Sequence, residues 1–242
     1  MLRCLTVNAC QRVVDLAAHS AQAAAAGYAA LELLLDWPPP PWLLDPDDSL
    51  PPPARQPSPH AFPIAALTAP GCDLFSLAAP DGPTRRDALA RLTELLRLAR
   101  PAATTRLVII SPVAPRQNAA PCQSYESALQ QLFYALRELA DHAEDLATPL
   151  AIENPPARLL LSPLELRDLI DAVNSPCVGV CLNAAHARRL GDPADWLEIL
   201  DRRVFALRLS PPAVAPAEQP WAALLQVWEQ RGLAGPVIFT PP

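Results

Sequence analysis

The chain reads as a (β/α)8 barrel, a TIM barrel, on three observations. Short apolar runs recur at regular intervals and number eight. Segments whose apolar residues repeat every three and four positions lie between them, the alternation that builds a parallel sheet covered by helices. The length of 242 residues also suits such a barrel, for which about 250 is typical. A doubly wound open sheet is the alternative, but it normally carries a glycine-rich turn after its first strand, and Val7-Asn8-Ala9-Cys10 has none. One domain over residues 1–242 is expected.

The elements follow in order. The first strand is expected over Leu2 to Val7, with a helix over Val13 to Ala26, and the second strand over Ala30 to Leu35. No helix follows the second strand: eleven of the 28 residues from Asp36 to Pro63 are proline, a density that excludes helix interiors and sheet centres. This proline-rich loop (36–63) is placed at the barrel mouth. Strands over Ile64 to Thr68 and Leu107 to Ser111 flank a helix over Asp87 to Arg100. The stripe Tyr125, Leu129, Leu132, Phe133, Leu136 and Leu139 has helical spacing and is assigned to the core. A fifth strand is expected over Leu150 to Glu153. Ser162-Pro163-Leu164-Glu165 combines a capping box with proline at the first helical position, starting a helix over Leu164 to Val173. The sixth strand spans Val178 to Asn183. Asp192-Pro193 repeats the cap-plus-proline form before a helix over Ala194 to Leu200. The seventh strand over Val204 to Ser210, a helix over Trp221 to Gln230 and a strand over Val237 to Thr240 close the series.

Composition removes several chemistries. All 19 basic residues are arginine, so Schiff-base, pyridoxal-phosphate and P-loop mechanisms, which need a lysine amine, are excluded. Seven scattered glycines supply no G-x-G-x-x-G cradle. A net charge of −6 without clustered arginines argues against nucleic acid or an anionic membrane as partner. The pairs Arg85-Arg86, Arg188-Arg189 and Arg202-Arg203 read as solvated helix-end charges. Six cysteines without C-x-x-C spacing read as reduced, mostly buried thiols, which suits a cytoplasmic protein. Met1 to Asn8 is too short an apolar run for a signal peptide, and no segment reaches the ~20 apolar residues that span a bilayer.

In a parallel barrel the chemistry sits where strands end, so the polar residues there are the candidates. They fall in Ala151-Ile152-Glu153-Asn154, in Val178-Gly179-Val180-Cys181-Leu182-Asn183-Ala184-Ala185-His186-Ala187, in Leu207-Arg208-Leu209-Ser210 and in Ile238-Phe239-Thr240. With Gly27-Tyr28-Ala29-Ala30-Leu31-Glu32-Leu33 and Gly191-Asp192-Pro193, these fragments resemble, in order and spacing over essentially the whole chain, the xylose isomerase-like barrels, which include sugar-phosphate isomerases and epimerases and endonuclease IV-type enzymes.

The resemblance implies a divalent metal held by a glutamate, an aspartate, a histidine and a glutamate on strands five to eight. Glu153 matches the first, but Asn183, Arg208 and Thr240 stand in the other places. Arginine donates no electron pair at ordinary pH and threonine is a poor ligand for a hard cation. Arg208 is therefore expected to pair with Glu153 and take the metal's position, with no metal ligands assigned and no cofactor; a weakly bound Mn or Mg is the alternative. Endonuclease IV-type histidines would align near Thr68 and Ser111, so a zinc nuclease is not expected.

Glu153 and His186 are the catalytic candidates; Asn154, Asn183, Arg208 and Glu32 are the substrate-binding ones. For Glu32, which could give a second carboxylate opposite Glu153, a buried charge paired with an arginine or with backbone donors is the stronger reading. His19, His60 and His142 are assigned surface or satisfied roles. The expected function is a degenerate sugar phosphate isomerase/epimerase-like barrel, a pseudoenzyme that binds a small sugar, phosphate or carboxylate or serves as a scaffold. The alternative is an active isomerase passing a proton through an enediolate with Glu153 as acid/base. A serine hydrolase using Ser111 or Ser210 with His186 lacks the G-x-S-x-G elbow. Substrate and oligomeric state are left open by the residues.

Overall fold

The structure, a computed structural model, describes residues 1–8, 16–39, 62–69, 73–99, 106–112, 123–156, 158–210 and 221–240. Eight parallel strands close into a barrel, each paired with the next and the last with the first: β1 (Leu2–Asn8), β2 (Ala30–Leu34), β3 (Ile64–Thr68), β4 (Leu107–Ile110), β5 (Leu150–Glu153), β6 (Val178–Asn183), β7 (Val204–Leu209) and β8 (Pro236–Phe239). All eight expected strands are present, and three have the expected bounds. Around them lie α1 (Leu16–Ala25), α2 (Leu74–Leu77), α3 (Gly82–Ala99), α4 (Tyr125–Asp145), α5 (Pro163–Val173), α6 (Ala184–Ala187), α7 (Pro193–Leu200) and α8 (Ala222–Gln230).

Helix α3 begins five residues before the expected start, because the Asp81 carboxylate accepts the Thr84 N–H at 2.8 Å and caps it. The one-turn helices α2 and α6 are too short for a periodic signal; side chains of Asp73 and Asn183 cap them. The capping box of α5 forms as the sequence indicates, Ser162 Oγ accepting from Glu165 N while Glu165 reaches back to Ser162 N. Expected features at residues 9–15, 40–61 and 211–220, including most of the proline-rich loop, and Cys10, Cys72, Cys122 and His60 lie outside the described residues. Prolines also occur at both ends of strands: Pro112 and Pro155 follow β4 and β5, while Pro63, Pro149 and Pro176 precede β3, β5 and β6. Strand starts tolerate proline because a ladder donor need not be lost there.

Side-chain alternation along the strands separates two cores. Facing the helices is a large shell of aliphatic residues, such as Leu31 and Leu33 of β2, Val108 and Ile110 of β4 and Val180 and Leu182 of β6. Inside the barrel a second cluster is built mostly from small residues: Cys4, Ala30, Ala66, Ala151, Cys181 and Ala206, filled out by Leu107, Ile109 and Ile238. Two residues further along most of these strands, on the same inward face, the apolar layer gives way to Thr6, Glu32, Thr68, Ser111, Glu153, Asn183, Arg208 and Thr240. A polar tier thus lies across the C-terminal end of the barrel, above an apolar floor.

The α4 stripe is only partly core. Leu132, Leu136 and Leu139 are fully buried, but Leu129 and Phe133 are half-buried and Tyr125 is 39% exposed. Leu129 and Phe133 still pack against the core where they line the groove between α4 and α5, so the core assignment holds for all of the stripe but Tyr125.

Candidate functional site

Glu32 sits at the centre of the polar tier and is completely buried. Four donors satisfy it. Thr6 Oγ1 donates to Oε2 at 2.6 Å, Thr68 Oγ1 to Oε1 at 2.7 Å, and the Arg208 guanidinium makes a bidentate pair, Nη1 to Oε2 at 2.9 Å and Nη2 to Oε1 at 2.5 Å. Burial by itself would raise the Glu32 pKa. Arg208 and the two hydroxyls outweigh it and hold the carboxyl below its ordinary value. For Arg208, burial pushes downward, yet Glu153 and Glu32 together hold it well above the usual arginine range.

The expected pair of Arg208 with Glu153 is present, at 3.1 Å from Nε to Oε2, alongside the bidentate pair with Glu32. The Nε–H is not aimed at the Glu153 oxygen, so this is an ion-pair contact rather than a hydrogen bond. Arg208 therefore bridges two buried carboxylates, Glu32 in full register and Glu153 by proximity.

Glu153 also accepts from Asn183 Nδ2 at 2.7 Å. The other end of that amide, Oδ1, accepts the His186 N–H at 3.1 Å and so caps α6. The Asn154 side chain, fully buried, pairs with the backbone of Asn183: Oδ1 accepts its N–H at 2.6 Å and Nδ2 donates to its C=O at 3.2 Å. That exchange continues the β5–β6 ladder one step past Glu153. His186 Nδ1 lies 2.9 Å from Asn154 O and 3.8 Å from Glu153 Oε1. Because both neighbours are acceptors, Nδ1 carries a proton.

Thr240 turns away from this group: its hydroxyl is 2.7 Å from Ser210 Oγ, and its N–H donates to Leu209 O at 3.1 Å. Trp221 Nε1 donates to Ser210 O at 3.2 Å. The structure thus gathers Glu32, Glu153, Asn154, Asn183, His186 and Arg208 into one cluster and leaves Thr240 beside it. Sequence reasoning missed Thr6 and Thr68 as partners of Glu32; the signal was available in the inward alternation Cys4-Thr6 and Ala66-Thr68.

A model of the xylose isomerase-like TIM barrels matches residues 20–240, nine-tenths of the chain. The chain belongs to the xylose isomerase-like TIM barrel family. Among solved members of similar fold, D-psicose 3-epimerase from Clostridium cellulolyticum H10, crystallised with D-tagatose, superposes with a TM-score of 0.76 at 16% identity, covering 98% of this chain and 84% of that one. The 3-keto-D-glucoside 4-epimerase of E. coli gives 0.75 at 10% identity, over 97% and 90%. A family 2 AP endonuclease from Brucella melitensis gives 0.70 at 20% identity, over 99% and 92%. At these identities the likeness is one of fold. No curated protein matches the chain in sequence.

The residues present do not fit the divalent metal that the family resemblance implies. In a metal site the strand-six residue would turn an oxygen toward the cation; here Asn183 turns its NH2 to Glu153 and its oxygen to a backbone N–H. Arg208 places a permanent positive charge against Glu153, and Thr240 bonds elsewhere. Among the described residues, no group of three or more His, Cys, Asp or Glu side chains is disposed to hold an ion. Two facing carboxylates need a cation between them; replacing one by an amide and adding a guanidinium answers that need from within the chain.

Proposed function

We propose that this member of the family is a metal-independent, degenerate isomerase-like barrel that binds a small polyhydroxylated molecule at its mouth. One observation carries the reading: the Arg208 guanidinium bridges Glu32 and Glu153, supplying internally the positive charge that two buried carboxylates require. The ligand class follows from charge. With both carboxylates ionised, Glu32, Glu153 and Arg208 sum to −1. One uncompensated carboxylate about 5 Å from a ligand anion opposes it by roughly 3 kcal/mol at an effective dielectric constant of 20. That is about a hundredfold in affinity. A neutral sugar or polyol is therefore preferred to a phosphate or carboxylate. The partly exposed polar groups beside the cluster are His186 and the mutually bonded hydroxyls of Ser210 and Thr240.

The test is elemental analysis of protein purified without chelator, followed by thermal shift. Metal should be substoichiometric and Mn²⁺, Mg²⁺ or Co²⁺ should leave Tm unmoved, whereas a ligand at a hundred times its Kd adds about 2.7 kcal/mol of stability. Neutral ketohexoses or polyols should raise Tm more than their phosphates. Stoichiometric metal would overturn the reading, and silence from every small molecule would leave the scaffold role.

A second reading is favoured by the placement of His186 over Glu153. Proton transfer at a carbon beside a carbonyl would use Glu153 as the base, with His186 held by Asn154 O as its neighbour. Deuterium incorporation into a ketohexose from D2O, abolished by Glu153→Gln, would establish it.

A further inference from the structure

We propose that the outer face of α4 and α5 is a docking surface for a basic, amphipathic helix of another protein. Two independent features coincide there. The first is charge. Helix α4 carries Glu126, Glu138, Asp141, Glu144 and Asp145 against Arg137; α5 carries Glu165, Asp168 and Asp171 against Arg167. Eight carboxylates and two arginines make −6, which is the net charge of the entire chain, so the rest of the molecule sums to zero. Arg167 pairs with Asp168 at 2.7 Å and Arg137 donates Nη1 to Val173 O, and both positive charges are already counted in the −6. Among the described residues, Asp171 is the one of these carboxylates that pairs with an arginine outside the two helices, Arg203 at 2.6 Å, while Glu165 accepts from Ser162 and Tyr125.

The second feature is apolar. A groove of about 490 Å³ runs between the helices, with Leu129, Phe133 and Leu169 along it and Glu126, Glu165 and Asp168 at its edges. Tyr134, whose ring is 5.5 Å from that of Phe133, is 58% exposed, more than any other large apolar residue among the described ones. Tyr125, Leu161 and Leu164, each at least 39% exposed, lie at the α4 and α5 N-terminal ends. Solvated acidic helices need no uncovered Phe, Tyr and Leu side chains beside the charge.

The combination fixes the occupant. Apolar side chains at i and i+4 on α4 and at i and i+3 on α5 form a groove that accepts a third helix, with anchors at helical spacing. The acidic edges select arginine or lysine beside those anchors and speed encounter. A second copy of this chain is the wrong occupant, because a two-fold dimer would set this face against itself, −6 against −6.

A synthetic peptide with leucine and lysine at amphipathic helical spacing, and a scrambled peptide of the same composition, distinguish a groove from a merely acidic surface. By fluorescence anisotropy the amphipathic peptide should bind the intact protein at least about tenfold more tightly than the scrambled one, and more weakly as salt rises. The double variant Gln130→Arg, Ala172→Arg changes two exposed groove residues and adds two positive charges; Glu144→Gln, Asp145→Asn changes the charge equally at the far end of α4. The first should cost at least about tenfold in affinity and the second about twofold or less. Equal binding of the two peptides, equal loss in the two variants, or no binding would overturn the proposal.

Discussion

Removing the Arg208 side chain would leave Glu32 and Glu153 as two buried carboxylates with no cation between them. Arg208→Met should therefore destabilise the fold by about 3–5 kcal/mol, the cost of breaking a buried pair from one side. Urea denaturation measures it. Adding Glu32→Gln should recover part of that loss, because the remaining charge is halved. The same cluster sets an acid limit. Glu32 is held below its ordinary pKa in the folded chain, so its contribution is complete above the unfolded value, about 4.3. It is lost as pH falls through the folded one. Stability measured against pH should decline there, and Glu32→Gln should flatten the decline while lowering stability at pH 7. The family resemblance implies Arg208 near Glu153, since the two stand at matched ligand positions on strands five and seven. It does not show that Glu32 takes both guanidinium nitrogens. That pairing joins residues 176 positions apart and exists only once the barrel closes.

Among the elements, the strands were the most legible, because burial on both faces makes each a nearly continuous apolar run. Helix ends were legible where a cap declares them, as at Ser162. Ser162→Ala should cost about 1 kcal/mol by denaturant titration, within the usual range for a lost N-cap. Helices α2 and α6 were illegible, since four residues carry no period. The packing of β6, β7 and β8 at the N-terminal end of the barrel makes a sharper test. A Cβ on Gly179 would stand 2.6 Å from the Phe205 ring and 2.7 Å from the Arg203 backbone oxygen, whereas one on Gly235 would stand 1.8 Å from the Phe205 backbone oxygen. Both alanine substitutions should destabilise by about 1–3 kcal/mol or more. Combining each with Phe205→Leu in a double-mutant cycle should separate them: the Gly179 penalty shrinks only in part, because the Arg203 backbone oxygen remains, and the Gly235 penalty persists in full because its obstacle is main chain alone.

For the whole molecule, the distribution of thiols reports barrel integrity. Burial, with Glu32 nearby, pushes the Cys4 thiol up to about 12, and burial raises Cys181 further still. Neither forms a thiolate in the closed barrel at neutral pH. Peptide mapping after alkylation should find Cys4 and Cys181 unmodified in the native protein and labelled at the rate of global opening, while half-buried Cys177 reacts earlier. Early labelling of Cys4 would mean that the apolar floor opens locally. Among the described residues no helix is long and apolar enough to cross a membrane. The net charge was plain in the sequence; its concentration on one helix pair was not, because only the folded barrel sets α4 beside α5 and, among the described residues, leaves the groove between them open.

A guanidinium is fixed to its chain at synthesis. Unlike a coordinated ion it cannot dissociate into a chelator, be displaced by copper or zinc higher in the Irving–Williams order, or await delivery from a cellular metal store. The charge that Arg208 sets between Glu32 and Glu153 is thus present whenever the chain is folded.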